Sequence, residues 1–116
     1  MESAKIMSWE SVCSLKDLIP GAGVCALLNG EGVALFYLPG TEQRVFALED
    51  WDPIGKASVI SRGIIGDVRN RLVVASPLYK QHFDLATGEC LEDDSVALAV
   101  YPVRIEGEEV LLAPTS

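Results

Sequence analysis

The sequence predicts an all-β fold, a small antiparallel barrel or sandwich that forms one domain over residues 1–116. Short apolar segments alternate with Gly, Pro, Asn and Asp at intervals of roughly 8–12 residues, which is typical of short strands joined by turns. The chain has 116 residues, the usual length of one domain, and it contains no internal repeat or linker. Hydrophobic residues make up 49% and charged residues 22%, which is typical of a globular chain.

The first half of the chain predicts strands joined by tight turns. Residues 7–12 are a candidate first strand, and the S-x-x-D pattern of residues 14–17 predicts one short capped helical turn. Asn29-Gly30 predicts a hairpin, because both residues tolerate positive φ. The further strands predicted here are residues 24–28, 33–38 and 44–48. The first two of these are almost wholly apolar, so we expect both of their faces to be covered.

The second half predicts a loop-rich section between about residues 49 and 91. It is interrupted by short strands at residues 72–75 and 82–85, and turn-forming residues at 61–63 and 65–67 indicate loops. Residues 96–105 and 110–113 alternate in polarity and predict a closing hairpin across Glu106-Gly107.

Charge and cysteine content exclude several classes of protein. Nine Lys and Arg against 17 Asp and Glu give a net charge of −8, which argues against nucleic-acid binding and against docking on anionic lipid. No apolar run approaches the roughly 18–20 residues of a membrane-spanning helix. The polar N-terminus shows no secretory signal, and three widely spaced cysteines favour reduced thiols. We therefore expect a cytoplasmic protein.

The sequence offers few catalytic or metal-binding groups. His82 is the only histidine, and no C-x-x-C motif is present, so no metal site is expected. Ser76, His82 and Asp84 are close in sequence and could form a hydrolase triad, but no nucleophile elbow surrounds Ser76. We expect instead a turn serine, a partly exposed histidine and an aspartate that accepts backbone amides of the following turn.

The remaining acids and the two tryptophans fit simpler interpretations. Acidic groups at residues 49–52, 92–94 and 106–109 lie in predicted turns, where we expect them to be solvated. Trp9 is expected to anchor the core. Trp51, between two acids, is a candidate interface residue, although packing would explain it equally well.

Residues 76–89, Ser-Pro-Leu-Tyr-Lys-Gln-His-Phe-Asp-Leu-Ala-Thr-Gly-Glu, resemble the second cluster-binding loop of Rieske ferredoxins. Residues 60–63, Ile-Ser-Arg-Gly, resemble the segment that follows the first loop in that family. The resemblance covers nearly the whole chain and implies a Rieske-like fold, with residues 49–91 as a degenerate cluster-binding subdomain. It places Pro53 and Gly55 at the first Cys and His positions, and Ser76 and Tyr79 at the second pair. All four ligands of a Rieske cluster are therefore replaced, so the resemblance implies the fold and not the cluster.

A longer pattern resembles the small subunit of assimilatory NAD(P)H nitrite reductase. It comprises residues 52–57, 61–67, 74–85, 88–91 and 101–104. The resemblance implies a non-catalytic subunit that supports reduction of nitrite to ammonium in nitrate assimilation. FAD, siroheme and an iron–sulfur cluster are then expected in the large subunit, with no cofactor, metal or small-molecule substrate in this chain.

The resemblance also suggests where the two subunits meet. In the ferredoxins the cluster end of the domain contacts the redox partner, which makes five residues candidates for the interface: Trp51, Lys56, Tyr79, Lys80 and His82. Tyr79 could also fill the space that the cluster has left. The alternative function is a stand-alone Rieske-type electron-transfer protein that captures iron unconventionally through Cys90 and His82.

Overall fold

The computed structural model describes residues 9–114. Within this range the chain forms eleven strands and two short 3₁₀ turns, at Leu15–Asp17 and Ile60–Arg62. The strands are β1 (Glu10–Ser14), β2 (Gly23–Leu28), β3 (Glu31–Tyr37), β4 (Val45–Glu49), β5 (Trp51–Asp52), β6 (Ala57–Ser58), β7 (Ile64–Val68), β8 (Arg71–Ala75), β9 (His82–Asp84), β10 (Val103–Glu106) and β11 (Glu109–Leu112). The prediction of an all-β fold is confirmed.

All pairings between the named strands are antiparallel. β2, β3 and β4 form a central sheet, β1, β11 and β10 form an outer sheet, and β7, β8 and β9 form a third sheet in the loop-rich section. β5 and β6 form a two-stranded ribbon. No helix within residues 9–114 is both long and apolar enough to cross a membrane.

β3 and β4 are covered on both faces, as predicted for residues 33–38. The same prediction for residues 24–28 is wrong, because Cys25 and Leu27 of β2 are exposed, Leu27 at 65%. Successive side chains of a strand point to opposite faces, so Ala34 and Phe36 enter one core while Val33 and Leu35 enter another. The first core is completed by residues of the loop-rich section, among them Ile60, Val74, Phe83 and Leu85. The second is completed by residues of the outer sheet, among them Val110 and Leu112. β3 therefore joins the two halves of the molecule.

Local sequence signals explain several of the connections. Asn29 and Gly30 adopt φ values of 53° and 82° in the predicted turn between β2 and β3. The amide of Ser14 donates to the Asp17 carboxylate at 2.9 Å, and the Ser14 hydroxyl accepts the Lys16 amide at 3.2 Å, so the predicted capped turn is also confirmed. Of the predicted first strand, residues 7–8 lie outside the described residues, and β1 begins at Glu10.

Two predicted elements differ from the structure. Residues 65–67 belong to β7, which pairs with β8 through a turn at Arg69 and Asn70. Both turn residues have positive φ, 53° and 65°, so the turn lies a few residues later than expected. Residues 96–102 form isolated bridges to Glu89 and Leu48, and only Val103–Glu106 is a strand. This stretch passes from the loop-rich section to the outer sheet, so no single neighbour pairs with its whole length.

Candidate functional site

Two loops of the loop-rich section meet, and we call this region the tip. The first tip loop is residues 53–56, between β5 and β6, and the second is residues 76–81, between β8 and β9. They are in contact at Gly55, where an added Cβ would lie 2.4 Å from Leu78 Cδ1. A side chain at this position would have to displace Leu78, so a glycine permits the close approach of the loops.

Asp52 organises both tip loops. Its side chain is fully buried, and its Oδ1 accepts the backbone amides of Ile54 at 2.8 Å and Gly55 at 3.0 Å. Its Oδ2 accepts a hydrogen bond from the Ser76 hydroxyl at 2.5 Å. The hydroxyl in turn accepts the Leu78 amide at 3.3 Å. A buried carboxylate needs such donors, and here they come from both loops, so Asp52 and Ser76 tie the loops together.

Each tip loop contains a lysine with left-handed backbone geometry, Lys56 at the end of the first loop and Lys80 one residue before the end of the second. Lys56 has φ 61° and donates its amide to the Asp52 carbonyl at 2.7 Å. Lys80 has φ 66° and donates its amide to the Ser76 carbonyl at 3.0 Å. Left-handed geometry costs a non-glycine residue about 1–2 kcal/mol. The tight turns are therefore maintained by their hydrogen bonds, and both lysine side chains stay exposed.

The expectation that the acids at residues 49–52 are solvated is wrong for Asp50 and Asp52. Asp50 is only 3% exposed, and its Oδ1 accepts the Ser61 amide at 2.7 Å while its carbonyl accepts the Ile60 amide at 3.1 Å. It thereby fixes the 3₁₀ turn beside the tip. The sequence contains a signal for this burial. Asp50 and Asp52 are two residues apart, and alternate residues of an extended chain share a face, so the two acids point to one side and Trp51 to the other.

Tyr79 does not fill the interior of the tip. Its side chain is 64% exposed, and Leu78 beside it is 44% exposed. The Gly55–Leu78 contact and the Asp52–Ser76 hydrogen bond occupy the space between the loops instead. The interpretation of Tyr79 as a space-filling residue is therefore wrong, and an aromatic ring is left on the surface of the tip.

Ser76, His82 and Asp84 do not assemble into a triad. Ser76 is bonded to Asp52, His82 Nδ1 lies 2.6 Å from Glu92 Oε2, and Asp84 Oδ2 accepts from Arg71 Nε at 2.7 Å. Each group thus has a different partner, so the nucleophile–base contact that a triad requires is not formed.

The predicted role of Asp84 in the following turn is confirmed. Its Oδ1 accepts the amides of Ala86 at 2.7 Å and Thr87 at 2.9 Å. Burial acts to raise the pKa of Asp84, but the hydrogen bonds from Arg71 and from these two amides outweigh it, and the pKa is lowered. Asp84 is therefore a charged structural group that holds the turn and the Arg71 side chain.

His82 and Cys90 both contact Glu92. The His82 amide donates to Glu92 Oε1 at 2.8 Å, and Cys90 Sγ lies 3.8 Å from the same oxygen. Burial raises the pKa of the Cys90 thiol, which disfavours the thiolate that would bind a metal. Within residues 9–114, no group of three or more His, Cys, Asp and Glu side chains is arranged to hold a metal ion.

The two tryptophans have different environments. Trp51 is 46% exposed on β5, directly before the first tip loop. Trp9 is half-buried with the Arg104 guanidinium 5.6 Å from its ring centre, and it belongs to neither core cluster. The prediction that Trp9 anchors the core is therefore wrong.

Comparison with known proteins identifies the family. A family model described as a Rieske-like [2Fe-2S] domain matches residues 8–113. The nitrite reductase (NADH) small subunit of Salmonella typhimurium is 44% identical over 104 residues, which are 90% of this chain and 95% of that protein. The Escherichia coli K12 small subunit is 42% identical over the same shares of both chains. The chain belongs to the nitrite reductase small-subunit family.

Solved structures agree with this assignment. The E. coli protein NirD, solved by NMR, superposes with a TM-score of 0.86 at 40% identity and covers 96% of this chain and 100% of its own. The ferredoxin of carbazole 1,9a-dioxygenase from Nocardioides aromaticivorans superposes with a TM-score of 0.78 at 23% identity, covering 93% of this chain and 99% of its own. The second likeness shows the shared Rieske-type fold alone.

The residues of this nitrite reductase small-subunit homologue do not fit the cluster that the family description implies. A Rieske [2Fe–2S] centre uses two thiolates and two imidazoles. The positions that the sequence resemblance assigns to these ligands hold Pro53, Gly55, Ser76 and Tyr79, which supply neither ligand type. The Ser76 hydroxyl is bonded to Asp52, and Gly55 packs directly against Leu78. Both the donor chemistry and the closed space between the loops therefore disagree with a cluster.

Proposed function

We propose that this chain is a cytoplasmic, non-catalytic subunit of a nitrite reductase in nitrate assimilation, and that it docks on the large subunit through the tip. FAD, siroheme and the iron–sulfur cluster of the reaction would then reside in the large subunit. The observation that carries the proposal is the tip itself. Its interior is closed by polar and apolar contacts between two loops, while an aromatic ring and two lysines remain outside.

One relative supports the identity of the partner. A segment of the nitrite reductase [NAD(P)H] large subunit of Klebsiella oxytoca is 34% identical to this chain over 102 residues, which are 88% of this chain and 10% of that protein. In that protein a domain of the present kind is part of the large-subunit polypeptide. A domain that is covalently attached in one relative is well suited to bind non-covalently in another.

The outer surface of the tip has the chemistry of a binding site. Leu78 and Tyr79 offer exposed apolar area, and Lys56 and Lys80 belong to the same two loops. Neither lysine forms an ion pair with a carboxylate of residues 9–114, in a chain whose net charge is −8. An aromatic anchor with neighbouring cations is a common composition for an interface, because Tyr loses little side-chain entropy on binding.

The internal bonds of the tip would keep this surface in one arrangement. Asp52 and Ser76 join the loops, and backbone bonds fix the two lysine positions. A surface that is ordered before association loses less entropy when it binds. The chain's own contribution is then to bind and to position, and no electron-transfer step passes through it.

Size-exclusion chromatography of the full chain mixed with its siroheme-containing large subunit tests the subunit role. With absorbance recorded from the ultraviolet into the visible, we expect co-elution and a colourless free chain. Separate elution would contradict the proposal. Visible colour and stoichiometric iron in the free chain would instead favour the alternative redox protein.

Two substitutions test docking through the tip. Tyr79→Ala and Lys80→Glu are each expected to raise the dissociation constant for the large subunit by about tenfold or more, since truncating an interface anchor commonly costs above 1 kcal/mol. Calorimetric titration of the full chain measures the effect.

Arg69→Glu is the matched control. Arg69 is exposed, has φ 53°, and lies at the turn joining β7 to β8, whereas the second tip loop begins at the other end of β8. Arg69→Glu makes the same charge change as Lys80→Glu at a similar backbone geometry. The variant should bind the large subunit about as tightly as the wild type does. Wild-type affinity in both tip variants would contradict the tip as the contact surface, even if the two subunits co-elute.

A further inference from the structure

A pocket lies on the side of β5 away from the tip interior. Asp52 points toward the two tip loops, and Trp51 forms a wall of a cavity of about 290 Å³. Its lining residues are Glu31, Gly32, Glu49, Trp51, Ser58 and Tyr101. A second cavity of about 220 Å³ shares Glu31 and Tyr101 with it. We call the first cavity the Trp51 pocket.

Strand register explains why these residues come together. Val33 of β3 pairs with Glu49 of β4, and Glu31 and Trp51 each lie two residues along the chain from this pair. Trp51 pairs with Ser58 of β6. Directly paired residues of antiparallel strands share a face, and so do residues two apart on one strand. Two carboxylates, an indole and a hydroxyl therefore line one surface.

The carboxylates of the pocket have no cation among the described residues. Glu31 and Glu49 form no ion pair within residues 9–114. Glu49 Oε1 accepts the Ala99 amide at 2.8 Å, which fixes the position of the carboxylate. The pocket thus holds two negative charges, and one of them is oriented by the backbone.

Tyr101 is a second, independent feature of the pocket. The residue is only 8% exposed, and its hydroxyl makes no hydrogen bond within the described residues. Tyr101 lines the cavity together with the two carboxylates. Burial raises the pKa of Tyr101, and the charges of Glu31 and Glu49 raise it further, which places both carboxylates near the ring.

We propose that the Trp51 pocket binds an arginine or lysine side chain that the large subunit presents beside the tip. This inference rests on the proposed function for its partner. Glu31 and Glu49 supply the opposite charge, the Trp51 ring offers a face for a cation, and the Tyr101 hydroxyl can accept an N–H bond. Trp51 immediately precedes Asp52 and the first tip loop in the chain, so one wall of the pocket is covalently next to the tip.

A titration with a small probe tests the pocket without the large subunit. Nα-acetylarginine amide is added to the ¹⁵N-labelled full chain, and the two indole N–H signals are followed by NMR. We expect a saturable shift of the Trp51 signal, while Trp9 serves as an internal reference. Nα-acetylcitrulline amide has nearly the same shape without the charge and should shift neither signal. Equal shifts with both probes, or no shift of Trp51 relative to Trp9, would overturn the inference.

Binding to the large subunit supplies the second arm. The double variant Glu31→Gln/Glu49→Gln retains an oxygen acceptor for the Ala99 amide and should weaken binding by about tenfold. The control Glu10→Gln/Glu42→Gln removes two exposed acids outside the pocket and should bind as the wild type does. If the wild type binds and the pocket variant binds equally well, the pocket inference fails and the proposed function stands. If the wild type does not bind at all, the proposed function fails, and the arginine titration still decides whether the pocket takes a basic side chain.

Discussion

Asp52 is a buried carboxylate that holds the two tip loops together. Three donors reach it, the amides of Ile54 and Gly55 and the hydroxyl of Ser76. A carboxylate that is fully buried loses its hydration, and these hydrogen bonds compensate for that loss. The resemblance places Ser76 at a cysteine position of the ferredoxin cluster loop, and here its hydroxyl links the two tip loops through Asp52.

Removing the Ser76 hydroxyl should destabilise the chain. In Ser76→Ala, Asp52 Oδ2 stays buried without its donor, which costs about 1–3 kcal/mol of unfolding free energy. Urea denaturation followed by circular dichroism measures this. The control Ser58→Ala removes an exposed hydroxyl and should change stability by less than about 0.5 kcal/mol. Equal small losses in the two variants would show that the Asp52–Ser76 bond does not stabilise the fold.

At the scale of elements, the turn after β9 depends on Gly88. This residue has φ 81°, its amide donates to the Asp84 carbonyl at 2.8 Å, and its own carbonyl accepts the Leu98 amide at 2.8 Å. An added Cβ would lie 2.1 Å from the Leu98 carbonyl oxygen. The residue at position 88 must therefore adopt positive φ, and it must also leave room for the backbone of Leu98.

Gly88→Ala should therefore cost more than backbone strain alone. We expect a loss of about 2–5 kcal/mol of unfolding free energy, from roughly 1–2 kcal/mol of left-handed strain plus about 1–3 kcal/mol for displacing the Leu98 backbone. Gly30→Ala measures the strain alone, because Gly30 has φ 82° and open space around it. Gly66→Ala is the control for both the strain and the steric contact, because Gly66 has no positive φ and has open space around it. Equal unfolding free energies for the Gly88 and Gly30 variants would contradict the role of the Leu98 contact.

The sequence predicts those elements whose signals are local. Asn29-Gly30 marks its hairpin, because both turn residues take positive φ, which few residues adopt. The second hairpin turns at Gly107-Glu108, one residue later than the predicted Glu106-Gly107, and Gly107 has φ 63°. β7 escapes prediction because Gly66 and Asp67 are typical turn residues, and only pairing with β8 makes them a strand. The alternation of residues 96–102 predicts a strand, but its neighbours change along its length.

The candidate site likewise has features that the sequence predicts and features that depend on the folded chain. The resemblance identifies the two loops that form the tip, and the structure brings them into contact. Burial of Asp50 and Asp52 and exposure of Tyr79 depend on which face each residue takes in the folded chain, which loop sequences do not specify. The Trp51 pocket likewise requires the register of four strands, β3 to β6, so its residues are scattered in the sequence.

At the scale of the whole molecule, opposing charge effects set the response to acid. A net charge of −8 means that acidification from pH 7 toward the sequence pI of about 4.5 relieves repulsion. Below the pI, further acidification protonates carboxylates that accept hydrogen bonds in the folded state, and this lowers the stability. β3 contributes to both cores, so we expect one cooperative transition in which a local loss affects the stability of the entire chain.

Asp84 should determine much of the acid limb of the stability curve. Its folded-state pKa is lowered, so its contribution is fully present above the unfolded pKa of about 3.9 and is lost as pH falls through the folded pKa. Asp84→Asn keeps an oxygen acceptor for the Ala86 and Thr87 amides but loses the ion pair with Arg71. Urea denaturation between pH 7 and pH 3 should show the variant less stable at pH 7, with a shallower decline below about pH 4, so that the two curves converge. Asp67→Asn, an exposed acid on β7, should instead follow the wild-type curve. Parallel curves for Asp84→Asn and the wild type would mean that the Arg71–Asp84 pair contributes nothing that depends on the charge of Asp84.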